Sequence, residues 1–326
     1  MTTIGIVSLI IGIIGVIYYF LFTDYSSRLG NNNGDIGIIS LGGDAAYFGD
    51  MLLYSIGSVF FVVFKLSGRV YWKWIGWSLL MLWFSAVVVT YTKGLIIAVI
   101  SFLICLFFIL KERRTFIVVS LILFITTIIF VSNVNYVLSS RLNISSTEGS
   151  SSVWIRVKAY VVSLNNSTKH FWFGNGAGLS QKLLPELAND YDRIVDEKTK
   201  RFMEKNFSYG ELANRELIDS HNLFLTEFFN VGIIGAISLT CLVVFVVIEQ
   251  IRTLKITSSG RDNVNELLFA TLIAMLIFRF TQSLVIIPFL WFMLGLSFGV
   301  CTKMFSTVEY CDTLHTKRET GNTKHT

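Results

Sequence analysis

Thirty-seven consecutive residues, Trp74 to Leu110, carry a single charge, Lys93. As one helix this stretch would be about 55 Å long, far beyond the roughly 30 Å hydrocarbon layer of a bilayer. A soluble core has no use for an uncharged helix of that length. The spacing predicts two membrane helices joined near Thr90–Gly94, with Lys93 at the membrane surface, where its charge is tolerated.

The same reading organises the rest of the chain. Apolar runs extend from Thr3 to Phe22, Tyr47 to Leu66, Thr115 to Ser132 and Leu223 to Ile248. A second double-length run, Leu267 to Thr302, is interrupted by Arg279–Gln282 and by Pro288, and predicts a further hairpin. Of the 326 residues, 53% are hydrophobic and 15% charged, against about 25% charged in soluble domains. The opening run lacks a basic leader and a small-residue cleavage site, so it reads as a span and not as a cleaved signal peptide. The predicted fold is all-α, a polytopic bundle of about eight spans.

Charge asymmetry gives the expected orientation. The turns at 65–73, 111–114 and 252–261 carry three Lys/Arg each, and the tail adds Lys303, Lys317, Arg318 and Lys324. The opposite short segments hold Arg28, Lys93 and Arg279. By the positive-inside rule both termini are expected in the cytoplasm. The segment Asp24–Asp44, Lys93 and an 87-residue polar region, Val134 to Ser220, are then expected on the outer face. The expected organisation is 1–133 as the first five spans, 134–220 as an external loop containing amphipathic helices, 221–302 as the last three spans, and 303–326 as a polar cytoplasmic tail without regular structure. The net charge of +5 is accounted for by orienting loop residues, and no basic patch suggests a nucleic acid partner. The four cysteines form no C-x-x-C pair, which argues against a zinc site or a disulfide framework. No nucleotide-binding or metalloprotease motif is present.

Unusual polar residues collect on the expected outer face. Arg28, Lys93, Arg141, Arg156, Lys158, Arg215 and His221 all fall there. Several cations at one membrane surface suit an anionic headgroup or a diphosphate, and they equally suit ordinary anchoring of long side chains at the interface. Between Ser152 and Leu164, Val153, Val157, Val161 and Leu164 recur at helical spacing, which predicts an amphipathic helix with Arg156 on a second stripe. That helix either anchors the loop or aims Arg156 at a phosphate. The segment Phe173 to Gly178 is glycine-rich; it follows no strand, so a structural turn is the expectation. His221, at the mouth of the sixth span, is either a cap-region residue or a base able to take a proton from a sugar hydroxyl.

Taken in order, these segments resemble the O-antigen ligase and O-antigen/capsule polymerase superfamily of bacterial envelope enzymes. Arg28-Leu29-Gly30 with the following Asn/Gly stretch, Thr90 to Gly94 at a hairpin tip, Arg156 on the loop helix, Gly174-Asn175-Gly176-Ala177-Gly178, and His221-Asn222-Leu223 followed by Gly232-Ile233-Ile234-Gly235 match its signals. The resemblance covers roughly Arg28 to Val300. Members carry about eleven or twelve spans, so the chain is expected to lack the first few. The resemblance implies a GT-C-like membrane glycosyltransferase of the bacterial inner (plasma) membrane, using a glycan on undecaprenyl diphosphate and needing neither cofactor nor metal. The acceptor would be lipid A-core or another lipid-linked repeat. His221 would be the catalytic base, with Arg156 beside it. Arg28, Lys93, Arg141, Arg156 and Arg215 would hold the diphosphate. A polysaccharide transporter or flippase, with Asp50, Glu227 and Arg279 as its deeper charges, is the competing reading; a truncated, inactive family member is the third.

Overall fold

The computed structural model describes residues 2–22, 45–66, 70–90, 92–134, 147–177, 179–188, 201, 222–256, 263–280 and 291–299. Among these residues every regular element is helical. In chain order they are α1 (Thr2–Phe22), α2 (Ala45–Leu66), α3 (Val70–Val89), α4 (Lys93–Ile109), α5 (Arg114–Val134), α6 (Thr147–Lys169), α7 (Ser180–Ala188), α8 (Leu223–Ile256) and α9 (Val264–Arg279). A last helix, α10, covers 291–299. Four of these segments are long and apolar enough to cross a membrane: Phe48–Leu66, Tyr71–Val89, Lys111–Phe130 and Leu223–Lys255. The chain is an all-helical, multi-pass membrane protein.

The first double-length run divides where the sequence places it; the turn expected in the second, 281–290, lies outside the described residues. The 37-residue run divides at Thr90–Thr92 into α3 and α4, with Lys93 heading α4. The second double-length run ends its first helix at Arg279 and resumes at 291. The loop helix is longer than expected, Thr147–Lys169. The segments 23–44, 135–146 and 300–326, and all of 189–221 except Arg201, lie outside the described residues.

Helix α2 is the centre of the bundle. It packs against α1, α3, α4 and α9. In its membrane window 78% is buried, against 22% for the windows of α5 and α8, which leave most of their surface facing outward. Such outward faces suit lipid, because hydrocarbon tails are as apolar as the side chains they meet. Helix association then needs close packing and polar links instead of a hydrophobic drive. Both are present on α2. Ser55 shares a hydroxyl–hydroxyl hydrogen bond with Ser8 of α1. Gly57 lets α9 approach so closely that a Cβ there would come 3.0 Å from the Leu267 carbonyl oxygen. On the side facing α4 and α5, Phe60 stands edge-on to Phe102 with ring centroids 5.0 Å apart. Trp77 of α3 stacks on Phe116 of α5 at 4.4 Å. Lower in α8, the buried Gln250 donates its side-chain N–H to the Ser297 carbonyl of α10 at 3.0 Å.

Replacing Gly57 by Leu should separate α2 from α9 and destabilise the detergent-solubilised protein by about 1–3 kcal/mol, the usual cost of overpacking. Gly295→Ala, where a Cβ meets nothing within 4 Å, is the neutral control. Thermal unfolding followed by circular dichroism reads both; equal midpoints for the two variants would contradict the close α2–α9 contact.

Candidate functional site

Three helix ends gather at one end of the bundle. The first belongs to α4. Thr90 turns the chain by donating its hydroxyl to the Val87 carbonyl at 2.8 Å, and Thr92 donates its own to the Thr90 carbonyl at 3.2 Å. The Thr92 carbonyl then accepts the first helical bonds of α4, from Leu95 and Ile96. Lys93 is thereby the first residue of α4, at the positive end of the helix dipole. A cation there is disfavoured by about 0.3–1 kcal/mol. A helix N-terminus of this kind favours an anion.

The second end is the start of α8. Asn222 accepts the Leu225 backbone N–H at 3.1 Å, which caps the helix, and donates its side-chain N–H to the Phe280 carbonyl at 3.3 Å. The residue before this cap is His221. His221, Arg28, Arg141 and Arg215 lie outside the described residues.

The third end, that of α9, carries Arg279. Its Nη2 donates to both carboxylate oxygens of Asp50, at 2.9 Å each. Both side chains are buried, at 2% and 3% exposure. Neighbouring contacts tie these ends together. Gly49 packs against Leu95 of α4, and the Phe280 ring lies 5.1 Å from that of Phe224 on α8. Lys93, Asp50, Arg279 and Asn222 therefore belong to one end of the bundle.

The glycine-rich turn has a definite structural partner. Helix α8 is 34 residues long and would span about 51 Å if continuous. It breaks at Gly232, whose φ of +70° and ψ of −170° are not helical. The break frees backbone groups that a bilayer cannot satisfy. The turn after α6 supplies their partners. Asn175 donates both its backbone and side-chain N–H to the Phe229 carbonyl, each at 2.9 Å. Gly176 donates to the Asn230 carbonyl at 2.8 Å, and Ile233 donates to the Phe171 carbonyl at 2.8 Å. The Asn230 side chain accepts the Ser180 N–H at the start of α7, and Asn166 of α6 holds the Asn175 side chain from behind. Contact is so close that a Cβ at Gly174 would fall on the Asn230 carbonyl, and one at Gly232 on the Trp172 carbonyl. Gly174, with φ +67°, also needs the left-handed region. The two glycine signals, far apart in sequence, are halves of one junction.

Helix α6 packs on α8 as a consequence. The face it buries is Ala159, Val162, Ser163, Asn166 and Ser167, not the Val157–Val161–Leu164 stripe picked out by apolar spacing; Leu164 is 49% exposed. Small and polar residues face α8 because they allow close helix approach, which leaves the valine stripe for other surroundings. Arg156 is half-buried on α6 and takes part in further interactions. Among the described residues no three His, Cys, Asp or Glu side chains come together as metal ligands would.

The Wzy_C family model, O-antigen ligase, matches residues 77–240, half of the chain. The chain belongs to this family. No curated protein and no solved structure matches it. The matched stretch contains Lys93, Arg141, Arg156, the glycine-rich turn, Arg215, His221 and the break at Gly232. Arg28, Asp50 and Arg279 lie outside it. Two features escaped the sequence reading: the pairing of Asp50 with Arg279, and the Asn166–Asn175–Asn230 set that locks the turn. The first had a signal, since a lone acid and a lone base in separate apolar runs each need a partner. The second had none, because asparagine spacing says nothing about which distant carbonyl is free.

Gly232→Ala should disrupt the junction through left-handed strain of about 1–2 kcal/mol plus the backbone clash. Asn175→Ala, which removes two side-chain hydrogen bonds, should cost about 1–3 kcal/mol. Both should lower the unfolding midpoint and the monodisperse fraction on size exclusion. Wild-type behaviour of Gly232→Ala would mean that the turn is held by something else.

Proposed function

We propose that this family member is a glycosyltransferase acting at the outer face of a bacterial inner (plasma) membrane, which moves a glycan from undecaprenyl diphosphate to a lipid-linked sugar acceptor, either lipid A-core or another lipid-linked repeat. The observation that carries the reading is the O-antigen ligase match, which runs unbroken from before Lys93 to beyond His221. Two features of the fold support it. Lys93 heads α4, at a helix N-terminus, where the dipole favours an anion. Asn222 caps α8 at the same end of the bundle, and His221 precedes it in the chain.

In this reading His221 takes the proton of the acceptor hydroxyl as its oxygen attacks the anomeric carbon of the donor. The glycosidic C–O bond breaks and the electron pair leaves on the lipid diphosphate. Arg156 and Lys93, with Arg28, Arg141 and Arg215, offset the negative charge that grows there, a role that needs fixed cations in a site shielded from bulk water. Arginine suits this work through its planar, two-pronged donor set; Lys93 contributes a point charge.

Purified protein in liposomes, given lipid-linked donor and acceptor, tests the reading. His221→Ala should lower kcat by about 10²- to 10⁴-fold, the usual worth of a general base. Undiminished transfer would remove His221 from that role. Arg156→Ala should weaken donor binding, read as a raised KM for the donor, and an unchanged KM would remove it from the site. Transfer should persist in EDTA. Single cysteines placed at 28, 156 and 221 should all react with an impermeant thiol reagent added outside intact cells; labelling of only some of them would exclude a common site.

A further inference from the structure

We infer that Asp50 and Arg279 form a positioning pair, which fixes the axial register of α2 against α9 and so sets the spacing between the Lys93 end of α4 and the Asn222 end of α8. This rests on the glycosyltransferase reading for what the spacing serves, while the pair itself stands on geometry. One guanidinium nitrogen bonds both carboxylate oxygens at 2.9 Å, and the two side chains are almost wholly buried. The pair is neutral as a unit and shielded, so it lends little net charge to a ligand. Stability does not require it either: replacing a buried ion pair by well-packed apolar residues is often neutral or stabilising. A directional link does something an apolar contact cannot. Helices in hydrocarbon lack a hydrophobic drive between them, and smooth apolar faces can slide. The Asp50–Arg279 bonds admit one register.

Each partner touches the ends that matter. Gly49, beside Asp50, lies against Leu95, two residues into α4 from Lys93. Phe280, beside Arg279, accepts the Asn222 side chain at 3.3 Å, and Asn222 follows His221 in the chain. The ion pair thus joins the path from Lys93 to the α8 cap, beside the direct packing of α4 on α9. Glu227, also on α8, and Glu266, on α9, lie on the helices concerned; neither appears among the ion pairs of the described residues.

Three measurements on the full-length protein in nanodiscs test this. The apolar double variant Asp50→Leu/Arg279→Met should fold with an unfolding midpoint near wild type. Its kcat per folded molecule should nevertheless fall about 10- to 100-fold, the usual penalty for displacing catalytic groups by an ångström or so. Arg279→Lys offers one nitrogen, as the native contact uses, and should retain most of the activity. Spin labels at Ile97→Cys and Leu225→Cys should report one narrow distance in the native background and a broadened or shifted one in the double variant. That distance readout stands even if the double variant proves inactive for other reasons. Wild-type kcat in the double variant, or an unchanged distance distribution, would overturn the positioning role. If the double variant does not fold, the same distance comparison in Arg279→Gln decides. His221→Ala assayed alongside separates the two ideas: an active His221→Ala ends the reading of the site, whereas a dead His221→Ala beside a fully active double variant ends only the positioning role.

Discussion

A break in a membrane helix is tolerable only if other groups take up the backbone bonds it forfeits, and in this fold that condition is met by the turn after α6. Breaking α8 at Gly232 separates Ile233 from its normal carbonyl partner four residues back, and leaves the carbonyls of Phe229 and Asn230 to seek other donors. Asn175, Gly176 and Phe171 fill all three places. In hydrocarbon each orphaned group would cost several kcal/mol, so the exchange is a condition of the fold more than an adornment. It has a geometric benefit as well. With the break, 233–256 is about 36 Å long, a length that crosses one bilayer with some tilt, and the first nine residues of α8 are released to take another direction. That short segment begins at its cap, Asn222. The glycine-rich turn thus bears on the direction of the capped start of α8.

The rest of the bundle follows the same economy. With no hydrophobic force to drive helix against helix, α2 is held by small residues and polar links: a serine pair to α1, a glycine beneath α9, and one ion pair to the end of α9. Each is local and each has a direction. The large aromatic contacts among α2, α3, α4 and α5 fill the space between helices without choosing a register, since edge-on rings tolerate small slides.

The helices were legible in the sequence because hydrocarbon imposes a length on them. Lys93 alone in 37 apolar residues located a hairpin tip to within a few positions, and Arg279 located the end of another helix. On α6 periodicity gave the helix but did not say which face packs on the protein. There the valine stripe is the one that apolar spacing selects, yet the buried face is Ala159, Val162, Ser163 and Asn166. The rule that hydrophobic residues mark the packed face assumes water on the other side. Near a membrane both faces can be satisfied, and packing then selects small residues. The candidate site was legible as motifs and not as contacts. Gly174 and Gly232 each announce an unusual backbone, but only three dimensions make them one junction. Asp50 and Arg279 are 229 residues apart, and sequence gives each a need for a partner without naming it.

The charges at this end of the bundle are held in two different ways. Asp50 and Arg279 compensate one another at 2.9 Å in a pair that is almost wholly buried. Lys93, by contrast, stands where a helix N-terminus already favours an anion, and where its own presence costs the helix stability. A charge matched internally and buried is matched to the fold. Lys93 and Arg279 belong to the same end of the bundle, one heading a helix and the other closing one.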